Sequence, residues 1–274
     1  MTRIALAQTT TGIDPAANAA ALVAAIAEAA AGGAAMVFTP EMSNLLDRDR
    51  ARAAASIRGE GDDAVLAAVR DAAARHGVWV HLGSLALRRD DGRLANRGFV
   101  IDAEGAVRAR YDKMHLFDVD LPTGESWRES AAYAPGARAV VVDTPAGRLG
   151  LSICYDLRFP DLYRALSDAG ATILSVPAAF TRPTGAAHWH LLLRARAVEA
   201  AAFVVAAAQA GEHQDGRATY GHSLAVDPWG EVIADAGDVP GLAFAALDAA
   251  RLAEVRARLP VLAHRRAIPP VEVA

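Results

Sequence analysis

Cys154 is the only cysteine in 274 residues. It closes an apolar run, Leu149-Gly150-Leu151-Ser152-Ile153-Cys154. Tyr155-Asp156-Leu157-Arg158 follows, then Phe159-Pro160, which opens a helix-like stretch. A thiol at a strand-to-helix elbow is exposed at a sheet edge, and the next backbone N–H groups point at whatever bonds to it. A solitary cysteine is more often a small buried hydrophobe. Two further segments reverse that preference. Phe38-Thr39-Pro40-Glu41-Met42 puts a carboxylate directly after a short apolar strand, at the carboxyl edge where α/β proteins build their sites. Partial burial would raise its pKa toward that of a general base, although from this segment alone an ordinary exposed loop glutamate ranks first. Arg110-Tyr111-Asp112-Lys113-Met114-His115-Leu116-Phe117 places a lysine just past another strand. A fixed ammonium there would stabilise an oxyanion or lower the pKa of a nearby thiol; the plain alternative is a solvated lysine. Asp112 and His115 are either its partners or bystanders.

An unperturbed thiol is only a few per cent ionised near neutrality, so Cys154 needs a base and a cation. The chain has eight histidines and none stands out as that base. His188 and His190 flank Trp189 at an expected helix start, and at i, i+2 they point to different faces, which argues against a metal site there. No other metal-ligand spacing, phosphate loop or dinucleotide fingerprint is present. The expectation is no metal and no cofactor.

The positioning elements alternate. Ile4–Gln8 reads as a buried strand and Pro15–Ala31 as a helix ended by Gly32-Gly33. Short buried runs follow at Ala35–Thr39 and Val78–Leu85, separated by a helix of 3.6-residue period over Asp62–His76. Residues 97–102 and 106–111 form a hairpin around Ala103-Glu104-Gly105, and residues 222–227 and 231–234 form another around Pro228-Trp229-Gly230. Both read apolar strand, Asp-x-x-Gly, strand, which predicts a pseudo-duplicated architecture. Between the hairpins come strand Leu149–Cys154, helix Pro160–Ala169, strand Thr172–Val176, helix His188–Ala200 and strand Phe203–Ala208. No Pro-, Gly- or Ser-rich linker interrupts the pattern. The expectation is one α/β domain over residues 1–274, two packed sheets with helices outside.

Apolar residues make up 53% of the chain and charged residues 22%, so it is globular. The net charge of −4, without a long basic run, argues against a nucleic-acid partner. The Ala-rich stretch from Ala16 to Ala35 contains Asn18, Glu28 and two glycines and reads as a soluble helix, so no membrane association is expected. A single cysteine allows no internal disulfide, and the N-terminal apolar run is too short for a signal peptide, so the cytoplasm is the expected location.

Taken together, Pro40-Glu41, the segment from Asp112 to Asp118 and the segment from Ile153 to Pro160 resemble the nitrilase superfamily of carbon–nitrogen hydrolases. The resemblance runs nearly end to end, through Ala7-Gln8, Asn96-Arg97, His188-Trp189, Arg194–Glu199, Tyr220–Ser223, Val226–Gly230 and Leu259-Pro260. It implies a four-layer αββα sandwich, homodimers or higher homo-oligomers, and a small-molecule amide substrate. It also implies a Glu-Lys-Cys triad at Glu41, Lys113 and Cys154. A further glutamate of the family falls on Glu129 in Arg128-Glu129-Ser130, where it would orient Lys113. By the same resemblance the nucleophile's thioester chemistry uses the Tyr155 backbone N–H as an oxyanion donor. Gln209-Ala210-Gly211 and Arg217-Ala218-Thr219-Tyr220 resemble the deaminated glutathione amidase branch, with ω-amidases, N-carbamoyl amino-acid hydrolases and catalytically silent interaction modules as the alternatives. A 2-oxo acid substrate would need a cationic anchor. Arg158 is placed for it, unless it pairs with Asp156 or Asp161, and Thr181 would help line the pocket. His190 departs from many relatives, which have Glu after His-Trp.

Overall fold

The computed structural model describes residues 1–120, 124 and 126–273. In the first half, β1 (Thr2–Gln8) leads to α1 (Pro15–Ala31), β2 (Met36–Phe38), α2 (Arg50–Ser56), α3 (Ala64–His76), β3 (Trp79–Arg88), β4 (Leu94–Ile101) and β5 (Val107–Asp112). A small ribbon, β6 (Asp118–Asp120) and β7 (Ser126–Arg128), follows. The second half runs β8 (Val141–Thr144), β9 (Gly147–Leu151), α4 (Pro160–Asp168), β10 (Ile173–Ser175), α5 (Arg182–Ala200) and β11 (Phe203–Ala206). It continues through the ribbon β12 (Ala210–Glu212) and β13 (Ala218–Tyr220), then β14 (Leu224–Val226) and β15 (Val232–Asp235). Strand β16 (Gly241–Leu247) returns to the first sheet, and α6 (Ala249–Arg258) follows it.

Two six-stranded sheets result, ordered β16-β1-β2-β3-β4-β5 and β15-β14-β11-β10-β9-β8. Each has three parallel strands at its centre and antiparallel strands on both flanks. The duplication extends to the turns. Asp102 Oδ1 accepts from the N–H groups of Glu104 and Ala106, and Asp227 Oδ1 accepts from those of Trp229 and Glu231. In both hairpins the strand register slips just before the turn.

The layers follow from which strand face is apolar. Ala5, Val37, Val80 and Leu82 face outward against Leu22 and Ile26 of α1 and Val65 and Val69 of α3. Ile4, Leu6, Met36 and Phe38 face inward and share one core with Leu149, Leu151 and Ile173 of the other sheet. That core continues to Trp189, Leu193 and Ala197 of α5. The order is helix, sheet, sheet, helix, the αββα sandwich. Asp14 caps α1 by accepting from Ala16 N–H, with Pro15 in the first turn, and Asp63 caps α3 through Leu66 N–H. Gly83 lies where β3 slips register against β4. A Cβ there would sit 2.5 Å from Pro177 Cβ and 2.1 Å from Thr39 O, so only glycine lets the two halves meet at this point. Among the described residues no helix is long and apolar enough to cross a membrane.

Two expected boundaries move. Helix α5 starts at Arg182, six residues before His188, because Pro183 suits a first turn. Gly185 does not break this helix: a Cβ there would lie 2.3 Å from Tyr220 Cγ, so glycine admits the ring. Strand β9 ends at Leu151, and Cys154 opens a short 3₁₀ turn, Cys154–Arg158, in place of closing the strand. The ladder stops because Ile153 N–H donates to Asp156 Oδ2 and Cys154 N–H to Pro177 O.

Candidate active site

Cys154 has φ +50°, the left-handed region that is unfavourable for a side chain with Cβ. Its surroundings fix that conformation. Asp156, fully buried, accepts from Ile153 N–H, Tyr111 Oη and His115 N–H, and also meets His115 Nδ1 at 2.7 Å. It thereby ties the elbow to the segment that carries Lys113. Arg196 of α5 donates from Nε and Nη2 to Leu157 O, bracing the same turn from behind.

Three distant segments converge here. Lys113 Nζ lies 2.9 Å from Glu41 Oε1 and 2.9 Å from Glu129 Oε2. Asn96 Nδ2 donates to both carboxylates, at 2.9 Å to Glu41 and 3.1 Å to Glu129. The other Glu41 oxygen accepts from Ala179 N–H at 2.9 Å. Phe117 N–H fixes Glu129 at 2.7 Å. Lys113, Glu41 and Cys154 are 2%, 4% and 8% exposed, so their mutual interactions are screened little by solvent. Gln209 Nε2 donates to Glu41 O and to Thr11 Oγ1, which seats the loop that carries the glutamate.

Burial opposes ionisation of Glu41, yet Lys113 together with hydrogen bonds from Cys154, Lys113 and Asn96 holds its pKa below the ordinary value. Burial would likewise discharge Lys113, but Glu129 and Glu41 raise its pKa well above normal. The Cys154 thiol is pushed well up, first by burial and then by the Glu41 charge, and Lys113 offsets only part of this. Lys113 does act in the expected direction on the thiol, but burial and the Glu41 charge outweigh it. The resting arrangement is a protonated thiol beside the Glu41 carboxylate, with the ammonium held by two carboxylates.

All these residues open onto one cavity of about 720 Å³, which also touches Tyr155, Arg158 and Thr181. The Tyr155 N–H lies in the first turn of the 3₁₀ segment, where the helix itself supplies no acceptor. Arg158 pairs with no carboxylate among the described residues. Its guanidinium stands over the Phe180 and Tyr155 rings and meets His188 Nδ1 at 3.4 Å. Asp156, an expected alternative partner, is consumed by the elbow. Thr181 Oγ1 meets Thr184 Oγ1 at 2.8 Å at the start of α5. Asp112 and His115 are bystanders to Lys113: Asp112 binds Arg97 and His115 binds Asp156. His188 and His190 diverge as their spacing requires. His190 meets Asp235, which also meets His222, away from this cavity. The bridging roles of Asn96, Ala179 N–H and Gln209 were not legible in the sequence, since each acts across segments far apart along the chain.

Residues 3–257 match the carbon–nitrogen hydrolase family model. The chain is 41% identical over 268 residues to the Homo sapiens protein named deaminated glutathione amidase, covering 96% of this chain and 82% of that one. It is 43% identical over 237 residues to the Yersinia enterocolitica protein of the same name, covering 85% and 82% respectively. Its fold is similar to that of the Caenorhabditis elegans NitFhit protein, with TM-score 0.90 and 39% identity over 97% of this chain and 65% of that one. It is also similar to an amidase from Nesterenkonia sp. AN1 that carries acrylamide added at its active-site cysteine, with TM-score 0.78 and 29% identity over 95% and 98%. This chain belongs to the carbon–nitrogen hydrolase family. Its fold is that of the nitrilase superfamily, and it is an amide-hydrolysing enzyme.

Proposed function

We propose that this enzyme hydrolyses the amide of a small 2-oxo acid, deaminated glutathione, to 2-oxoglutarate and cysteinylglycine through a thioester on Cys154. The observation that carries the mechanism is the convergence of Glu41, Lys113 and Cys154, with Glu129 and Asn96 holding the lysine and the glutamate. The relatives named for this reaction support the substrate.

In the reading we favour, the thiol proton passes to Glu41 as sulfur attacks the amide carbon. The tetrahedral oxyanion forms between Lys113 Nζ and the Tyr155 N–H, both fixed before the reaction. Glu41 then gives the proton to the leaving nitrogen as the C–N bond breaks. Water enters, Glu41 removes its proton, and attack on the thioester releases the acid and restores the thiol. Glu129 acts through Lys113, holding the ammonium toward the oxyanion without touching substrate. Arg158, stacked on Phe180 and free of carboxylate partners among the described residues, is assigned to the 2-oxo carboxylate, with Thr181 beside it.

Rates on deaminated glutathione, 2-oxoglutaramate and a simple nitrile, measured side by side, test the assignment. The expected order is highest kcat/KM on deaminated glutathione. A clear preference for 2-oxoglutaramate would replace the reading with an ω-amidase. We further assign a second copy of the chain to the face bearing Val198, Trp229 and Leu259, which are 42%, 51% and 45% exposed around a shallow apolar depression. Light scattering at the mass of a dimer is the expected result.

A further inference from the structure

The cavity wall carries more arginines than the reaction centre uses, and most are already engaged. Arg88 donates to Ala54 O, Arg93 to Ser130 O, and Arg50 to Arg128 O, while Arg128 pairs with Asp120 and Arg217 with Asp215. Two guanidiniums on the wall have no carboxylate or backbone partner among the described residues: Arg158 and Arg48.

They stand at the two ends of a row of aromatic rings. Arg158 lies over Tyr155 at 5.9 Å, Tyr155 meets Phe117 at 5.1 Å, Phe117 meets Trp127 at 6.2 Å, and Arg48 lies over Trp127 at 4.9 Å. Arg217 also lies over Trp127, at 4.9 Å. A guanidinium laid on a ring keeps its in-plane N–H donors free for a carboxylate. Two acids on neighbouring segments are already engaged: Asp47 is bound through both oxygens by Arg52, and Asp215 is bound by Arg217. The Trp127 indole N–H is a buried donor without an acceptor among the described residues.

From this we infer that Arg48, with Arg217 and Trp127, is a subsite for a second carboxylate, carried by the leaving amine. The substrate class is an amide anionic at both ends: a 2-oxo carboxylate on the acyl side, held by Arg158, and a peptide-like amine that ends in a free carboxylate. The inference rests on the amidase reading above and deepens it. A small amide that releases ammonia would leave Arg48 unused.

The test compares deaminated glutathione with its C-terminal carboxamide, on wild type and on Arg48→Gln. Wild type is expected to favour the free acid by roughly tenfold or more in kcat/KM, chiefly through KM, as one charge-assisted hydrogen-bonded contact implies. In Arg48→Gln that preference collapses toward unity, and Arg48→Lys restores part of it. Equal rates of wild type on acid and amide, or a preference that persists in Arg48→Gln, would overturn the subsite while leaving the amidase reading intact. Wild-type turnover of neither compound would overturn that reading, and the subsite with it.

Discussion

The two halves of this molecule share one architecture and divide the chemistry between them. Register identifies equivalent positions. In the first sheet Ile4 is opposite Met36 and Leu6 opposite Phe38; in the second Leu149 is opposite Ile173 and Leu151 opposite Ser175. On that alignment Pro40 matches Pro177, Glu41 matches Ala178, and Cys154 matches Thr9. Counting on from Gly105 and Gly230 of the matched hairpins, Lys113 falls opposite Asp238. Wherever one half carries a reactive group, its equivalent is inert. Ala178 pairs only in a backbone bridge with Ala208, Thr9 donates to Gln209 Oε1, and Asp238 is exposed. In the proposed mechanism the first half supplies the carboxylates and the ammonium, and the second supplies the sulfur, the oxyanion N–H and the cationic anchor. The matched halves form a scaffold in which strand ends from both sheets face one cavity, and only one member of each of these three equivalent pairs belongs to the site.

The comparison can be broken by exchanging the two sides. Cys154→Ala should lose at least about 10⁴-fold in kcat, because covalent catalysis has no substitute nucleophile nearby. Thr9→Val at the equivalent place should stay within a few-fold, measured in the same steady-state assay. Lys113→Ala should cost about 10²- to 10³-fold in kcat, in line with loss of an oxyanion donor. It should also lower stability by about 3–5 kcal/mol, since Glu41 and Glu129 would be left as buried neighbouring carboxylates. Denaturant unfolding checks the second figure, and a kcat loss without a stability loss would place the ammonium outside this ion cluster.

Arg158→Gln should reduce kcat/KM about 10- to 100-fold, mostly through KM. The pH behaviour sharpens the account further. Because burial and the Glu41 charge raise the Cys154 pKa, its alkylation by iodoacetamide should keep accelerating above pH 9.0, the ordinary thiol value. In Glu41→Gln the repelling charge is gone, so the alkylation profile should move to lower pH even as turnover falls. The depressed Glu41 pKa means kcat/KM should hold down to pH 4.5, the ordinary glutamate value, and fail only below it. Asp238→Ala should change stability by less than about 0.5 kcal/mol, the smallest effect of the set.

How much of this the sequence carries depends on the distance over which each residue acts. Cys154, Glu41 and Lys113 are legible because each lies at or just past the end of an expected strand, and the mirrored Asp-x-x-Gly hairpins announce the duplication. Glu129 is legible only through family resemblance, because the residues around it show no periodic pattern. Asn96 enters the sequence reading only through the Asn96-Arg97 resemblance; the folded strand shows it bridging two carboxylates. Gln209 reads as a branch signature, whereas its work is to hold Glu41's carbonyl from the other half. The start of α5 is hidden because Pro183 and Gly185 look like breakers until Tyr220 is seen against the glycine. The state of the thiol is illegible for a different reason: it depends on whether burial or Lys113 dominates, and residue types do not reveal burial.

The central claim is that sulfur from one half carries the acyl group while the other half handles its protons. Intact-protein mass spectrometry of acid-quenched turnover tests it most directly. The expected result is a transient mass increase of one 2-oxoglutaryl group, mapped to Cys154 by peptide digestion and absent from Cys154→Ala. An acyl adduct on any other residue, or turnover retained by Cys154→Ala, would contradict it.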